Sequence, residues 1–193
     1  MKRLCVFCIG MLILFSSCSF EQIKSQVVGV ISQVRPLMPG GWMEKRVDDT
    51  KTAALATFEK IYAAIQTQDA AAMEALFSEK AHKESSDLKE QVLHLFKFIQ
   101  GEILHCDTQS AGKNTGFTKS DGKRQTHARS TYEIETSADT YELFVLEYPQ
   151  DEFDPENIGV YSMYCIKIAD IEQENPANIA WAAGEPGIYV FDE

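Results

Sequence analysis

Few residues in this sequence are spaced so that they could move a proton, hold a metal or attack a carbonyl. His105 and Asp107 lie two apart. On a strand they share a face, and a histidine oriented by a carboxylate is a general base. The plainer reading is a polar strand end. His127, Arg129 and Glu133 alternate in the same way and read as the solvated side of a sheet. His82 and His94 sit among charged residues in helical stretches. With four scattered histidines and no H-x-x-x-H, no metal site is expected. Nucleophile motifs are missing too: there is no G-x-S-x-G. Gly116 to Lys123 is one residue too long for a phosphate-cradling loop, and no Ser or Thr follows Lys123. The run Asp151-Glu152-Phe153-Asp154-Pro155-Glu156 offers oxygen ligands for calcium. It lacks the glycine and spacing of a calcium loop, and Pro155 stiffens it, so it reads as a solvated loop. No catalytic residue, cofactor or metal is expected.

The one residue with specific chemistry is Cys18. Met1-Lys2-Arg3 is basic, and Leu4 to Phe15 is a twelve-residue apolar run. That is too short to span a bilayer, which takes about 20 residues, and it has the proportions of a secretory signal. Ser16 and Ser17 then leave the Cys18 thiol sterically open to diacylglycerol transfer and the Ser17–Cys18 bond open to a peptidase. The pattern resembles the bacterial lipobox; Phe15 departs from it where an aliphatic residue is usual. The expectation is a signal peptide over 1–17 and a lipid-anchored chain from Cys18, held at the cell membrane on the extracytoplasmic side. Two acyl chains anchor stably where one does not. Cys5 and Cys8 fall within the apolar run. Cys106 and Cys165 lie in strand-like surroundings and read as free thiols.

Composition narrows the partners. The chain carries 18 basic and 29 acidic residues, a net charge of −11. Loss of Lys2 and Arg3 with the signal leaves 16 against 29, or −13. Such a surface argues against nucleic acid, and equally against a polybasic membrane contact. Hydrophobic content of 45% suits an ordinary globular domain.

The elements that would position these residues follow from periodicity. Residues 18–47 read as a tether with a short helix, broken by Arg35-Pro36 and Pro39-Gly40-Gly41. Asp48-Asp49-Thr50 supplies caps for a helix at about 50–67, with Leu55, Phe58, Tyr62 and Ile65 as its apolar stripe. Asp69 caps a second helix at about 70–82, and Ser85-Ser86-Asp87 opens a third at about 87–100. The period then changes to two. Ile103 to Cys106 is a first strand, 109–123 an exposed Gly/Ser/Lys-rich loop, 125–136 and Tyr141 to Tyr148 two more strands. Ile158 to Ile168 and Gly187 to Phe191 complete the set. The fold class is α+β: three N-terminal helices on a curved antiparallel sheet of about four to five strands, over residues 48–193.

The order and local phrases resemble the cystatin-like cone fold of the nuclear transport factor 2-like superfamily. They are more closely similar to a family of uncharacterised lipoproteins, mostly from Gram-positive bacteria, catalogued as a domain of unknown function. The matching phrases are Phe58 to Tyr62, Asp69 to Ser78, Gln91 to Ile103, Tyr132 to Thr136, Pro155 to Ser162 and Gly187 to Tyr189. The resemblance implies a pocket between the curved sheet and the first helix. Phe58, Tyr62, His105, Asp107 and Tyr132 are its candidate lining. Superfamily enzymes keep acid–base groups in that pocket, and its binding members use the pocket or the outer sheet face. The expected function is a membrane-anchored envelope lipoprotein that binds a small molecule or an envelope protein without catalysis. The alternatives are a cone-pocket isomerase or dehydratase and a homodimerisation module.

Overall fold

The computed structural model describes residues 41–85, 87–171 and 185–191, with side chains from residue 47 onward. Helices come first and strands second, an α+β order. Helix α1 is Gly41–Thr67, α2 Ala70–Glu74, α3 Glu79–Glu84 and α4 Leu88–Phe98. Strands β1 (Ile103–Ser120), β2 (Lys123–Thr136), β3 (Thr140–Asp151), β4 (Gly159–Lys167) and β5 (Gly187–Phe191) form one open sheet in that spatial order. The first four strands are an antiparallel meander; β5 pairs with β4 in parallel.

Alternation on β2 and β3 divides the sheet cleanly. Ala128, Ser130, Tyr132, Ile134, Tyr141, Leu143, Val145 and Glu147 are buried on the inner face. Helix α1 lies on this face and crosses the strands at an angle. Its Lys51 backbone abuts Gly112 of β1. Its Ala54 carbonyl accepts from Tyr132 of β2, and Thr57 donates to Glu147 of β3. Met73, Val92, Leu95 and Ile188 complete the core.

Four expectations need correction. Helix α1 begins at Gly41, so Asp48 and Asp49 are exposed residues within it and Thr50 is a buried one, not caps. The second helix is split in two. Leu76 and Ser78 bond the Val160 backbone through Val160 N–H to Leu76 C=O (2.9 Å) and Ser78 N–H to Val160 C=O (2.8 Å). A helix cannot give up those groups, so α2 stops, and Ser78 restarts the chain by capping α3 at Ala81 (3.1 Å). Residues 109–120 are not a loop but the second half of β1. An Asp121-Gly122 hairpin turn follows, with φ of 51° and 79°, the left-handed pair that a two-residue turn requires. Bulges between Asp107 and Asn114 insert extra residues and bend the strand. Lastly, β5 returns parallel rather than antiparallel.

Gly159 marks where β4 enters the sheet beside Leu76 and Ser78. Its φ is +122°, and a Cβ there would lie 3.0 Å from the Leu76 carbonyl oxygen. Gly159→Ala is expected to cost about 2 kcal/mol or more, read as a lower urea midpoint at unchanged slope.

Candidate functional site

The most unusual group on the helix-facing side of the sheet is Glu147. Inward parity on β3 places it among Tyr141, Leu143 and Val145, and it is only 4% exposed. Its Oε2 accepts a 2.6 Å hydrogen bond from Thr57 Oγ1 on α1. Its Oε1 is buried and has no hydrogen-bond partner. A buried carboxylate with an unmet oxygen is costly as an anion. Burial accordingly raises its pKa, while the Thr57 hydrogen bond and the positive charge of Lys60 oppose the rise. An acid whose pKa is raised in this way keeps its proton to a higher pH than an exposed carboxyl does.

Two of the expected pocket residues meet beside it. Phe58 and Tyr132 stack with ring centroids 4.0 Å apart and planes 16° from parallel. The Tyr132 hydroxyl donates to the Ala54 carbonyl (3.0 Å), and burial raises its pKa. Both rings are core, filling the space between α1 and β2. Ser130, next inward on β2, accepts from the Gly112 amide (2.8 Å).

The other three are elsewhere. Tyr62 lies on the margin of the α1 stripe, half-buried, and its hydroxyl accepts from Gln66 Nε2 (2.6 Å) on the exposed side. His105 and Asp107 do share a face, but it is the outer one. They sit opposite Glu135 and Glu133, away from α1. Asp107 Oδ1 accepts from the Gln109 amide (2.7 Å). His127 packs its ring over Gly116 and 6.0 Å from the Tyr148 ring; burial, then the charge of Arg129, lowers its pKa.

The acidic loop is not simply solvated. Asp151 is 1% exposed and accepts from Gln125 (2.6 Å), Asn157 (3.0 Å) and the amides of Phe153 and Asp154 (both 3.0 Å). Burial opposes its ionisation, and these donors outweigh it, so its pKa is lowered. It is a loop clamp. Among the described residues no group of three or more His, Cys, Asp or Glu side chains could hold a metal. Cys106 and Cys165 are free, and burial pushes both thiols up, Cys106 to about 12.

A shallow depression opens on the outer sheet face, lined by Arg129, Phe144, Leu146, Ser162 and Tyr164. The Tyr164 ring stacks on Tyr189 (5.0 Å) and its hydroxyl is buried without a partner. Cys18 and the Ser17–Cys18 bond lie outside the described residues. No described helix is long and apolar enough to cross a membrane.

The chain matches the family described as Domain of unknown function (DUF5104) over residues 60–168, more than half its length, and belongs to that family. No curated protein matches it. The match takes in Tyr132, Glu147 and the β1–β2 hairpin.

Raising the folded-state pKa of an acid means its contribution to stability is fully present below the unfolded carboxyl value. It is lost as pH rises through the folded value, because the unfolded chain releases the proton first. Glu147→Gln is therefore expected to unfold at higher temperature than the parent at neutral pH. The two should converge in acid. Glu147→Ala leaves Thr57 without its acceptor and should cost about 1–3 kcal/mol. A thermal-melt series across pH on both variants reads the difference.

Proposed function

We propose that this member of the DUF5104 family is a membrane-anchored cell-envelope lipoprotein whose domain works by binding a protein partner, without catalysis. The observation that carries the anchor is Ser16-Ser17-Cys18 directly after a basic start and a twelve-residue apolar run. Helices followed by a meander support a cystatin-like cone of the nuclear transport factor 2 type. The binding half is supported by the inner face. Where a cone enzyme keeps room for substrate, Phe58 lies on Tyr132 and the Tyr132 hydroxyl is engaged by Ala54. The outer depression offers the half-buried apolar side chains of Phe144 and Leu146 instead. The partner is an envelope protein or a second copy of the chain.

One observation favours a second reading. Glu147 is a protonatable acid with an unpartnered oxygen on the side of the sheet where cone-pocket isomerases and dehydratases place their acid–base groups. Catalysis there would require the Phe58–Tyr132 stack to part.

Replacing Cys18 by alanine is expected to abolish incorporation of labelled palmitate and to leave precursor or released protein; unchanged labelling would sink the anchor. Native mass spectrometry of the full chain extracted from membranes should show a second bound copy or partner that Leu146→Asp removes. A bare monomer for both proteins would overturn the binding reading.

A further inference from the structure

The acidity of the molecule is not evenly spread. Residues 113–129 carry Lys113, Lys119, Lys123, Arg124 and Arg129 against Asp121 alone. The rest of 48–193 carries seven basic residues against 26 acidic ones. The structure folds the basic stretch into the β1–β2 hairpin, whose residues from 117 to 124 are all exposed.

Register shows how the hairpin tip is arranged. Lys119 stands directly opposite Arg124, and Phe117 opposite Thr126. Phe117, Lys119, Arg124 and Thr126 therefore share a face. By continuity with Ala128 on β2 it is the face on which α1 lies. Two like charges directly across a ladder repel each other, and such a pair is destabilising unless an anion lies between them. Glu152, just past the end of β3, stands beside Arg124, its Oε2 2.9 Å from the Arg124 amide nitrogen, but it forms no ion pair with either head group. Among the described residues, Lys113, Lys119, Lys123 and Arg124 enter no ion pair. The two acids at the tip are engaged: Asp121 accepts from Ser120 Oγ, and Glu152 from the Arg124 amide and Gln150. Phe117 is 37% exposed between these cations. An exposed aromatic ring flanked by Lys and Arg is the composition that seats in a headgroup layer.

Lys51 of α1 touches Gly112 at the base of the hairpin. From there α1 runs back ten residues to Gly41, the end of the domain from which the chain leads to Cys18.

We infer that the tip of the β1–β2 hairpin, through Phe117, Lys119, Lys123 and Arg124, is a second membrane contact that lays the domain on an anionic lipid surface. The inference rests on the anchored reading for its setting and is tested apart from it. The whole-chain charge argues against such a contact, but an average over the chain does not describe a segregated surface.

Amine acetylation read by mass spectrometry provides the test. The full lipidated chain is reconstituted in vesicles of equal parts phosphatidylglycerol and phosphatidylcholine, or of phosphatidylcholine alone. On the anionic vesicles Lys119 and Lys123 should be protected about fivefold or more, and raised salt should abolish this. Lys89 and Lys97, exposed on α4, should react equally on both. Phe117→Ser with Arg124→Glu should remove the protection of Lys123 while leaving the melting curve in place. Equal reactivity of Lys119 on the two vesicles would falsify the contact. So would protection by soluble polyglycerol phosphate but not by vesicles, which would assign the tip to a wall polymer. A chain that proves to carry no acyl group sinks the anchor alone. Footprinted with saturating anionic vesicles, that chain still decides the tip by the same two lysines.

Discussion

The fold depends on how α1 is seated. A helix of 27 residues crosses an open sheet with a single strongly apolar stripe, and three contacts fix its angle. Its backbone closes on Gly112 at β1, its Ala54 carbonyl takes the Tyr132 hydroxyl at β2, and Thr57 meets Glu147 at β3. The Phe58–Tyr132 stack fills the angle between helix and sheet. Burying two aromatic rings face to face stabilises the seat by area and by geometry together. Glu147 works the other way, since its charged form is penalised where it sits. The seat thus combines its tightest packing with its most costly polar group, an arrangement that core packing alone would not favour.

The far side of the sheet is closed by a different device. Strand β4 has β3 on one flank. On the other, its first part bonds the Leu76–Ser78 turn and its later part bonds β5. A segment from the helical half and the last strand of the chain therefore share one edge. At the opposite edge of the open sheet lies β1, which is bulged and charged, and that discourages pairing with another strand.

Much of this was legible in the sequence. The change of period at Gly101, the meander and most of the inward residues follow from alternation and helical spacing. Glu147 was legible as well: it falls on the inward parity of Tyr141, Leu143 and Val145, and only its charge hid it. The Asp121-Gly122 turn carries the strongest short hairpin signal there is, but the Gly, Ser and Lys around it resemble a loop in composition. Tyr62 has the spacing of the apolar stripe yet lies at its margin, and spacing alone does not fix a helix's rotation to that accuracy. The split after α2 and the parallel return of β5 were not legible. Both are set by which strand edge is free once the sheet has formed, a property of the assembled fold rather than of any local window.

The segregation of charge gives the domain an electric dipole, with its positive pole at the hairpin and most of its negative charge in the rest of the sheet half, where residues 101–112 and 130–193 carry 17 acids against Lys167 alone. Far from a negative surface the net charge dominates and the body is pushed away. Within about a Debye length, ~10 Å at ordinary salt, the nearer pole dominates instead. A charge distribution of this kind favours one pole over the other at a negative surface. Any covalent attachment would then set the encounter, and the dipole would set only the pose.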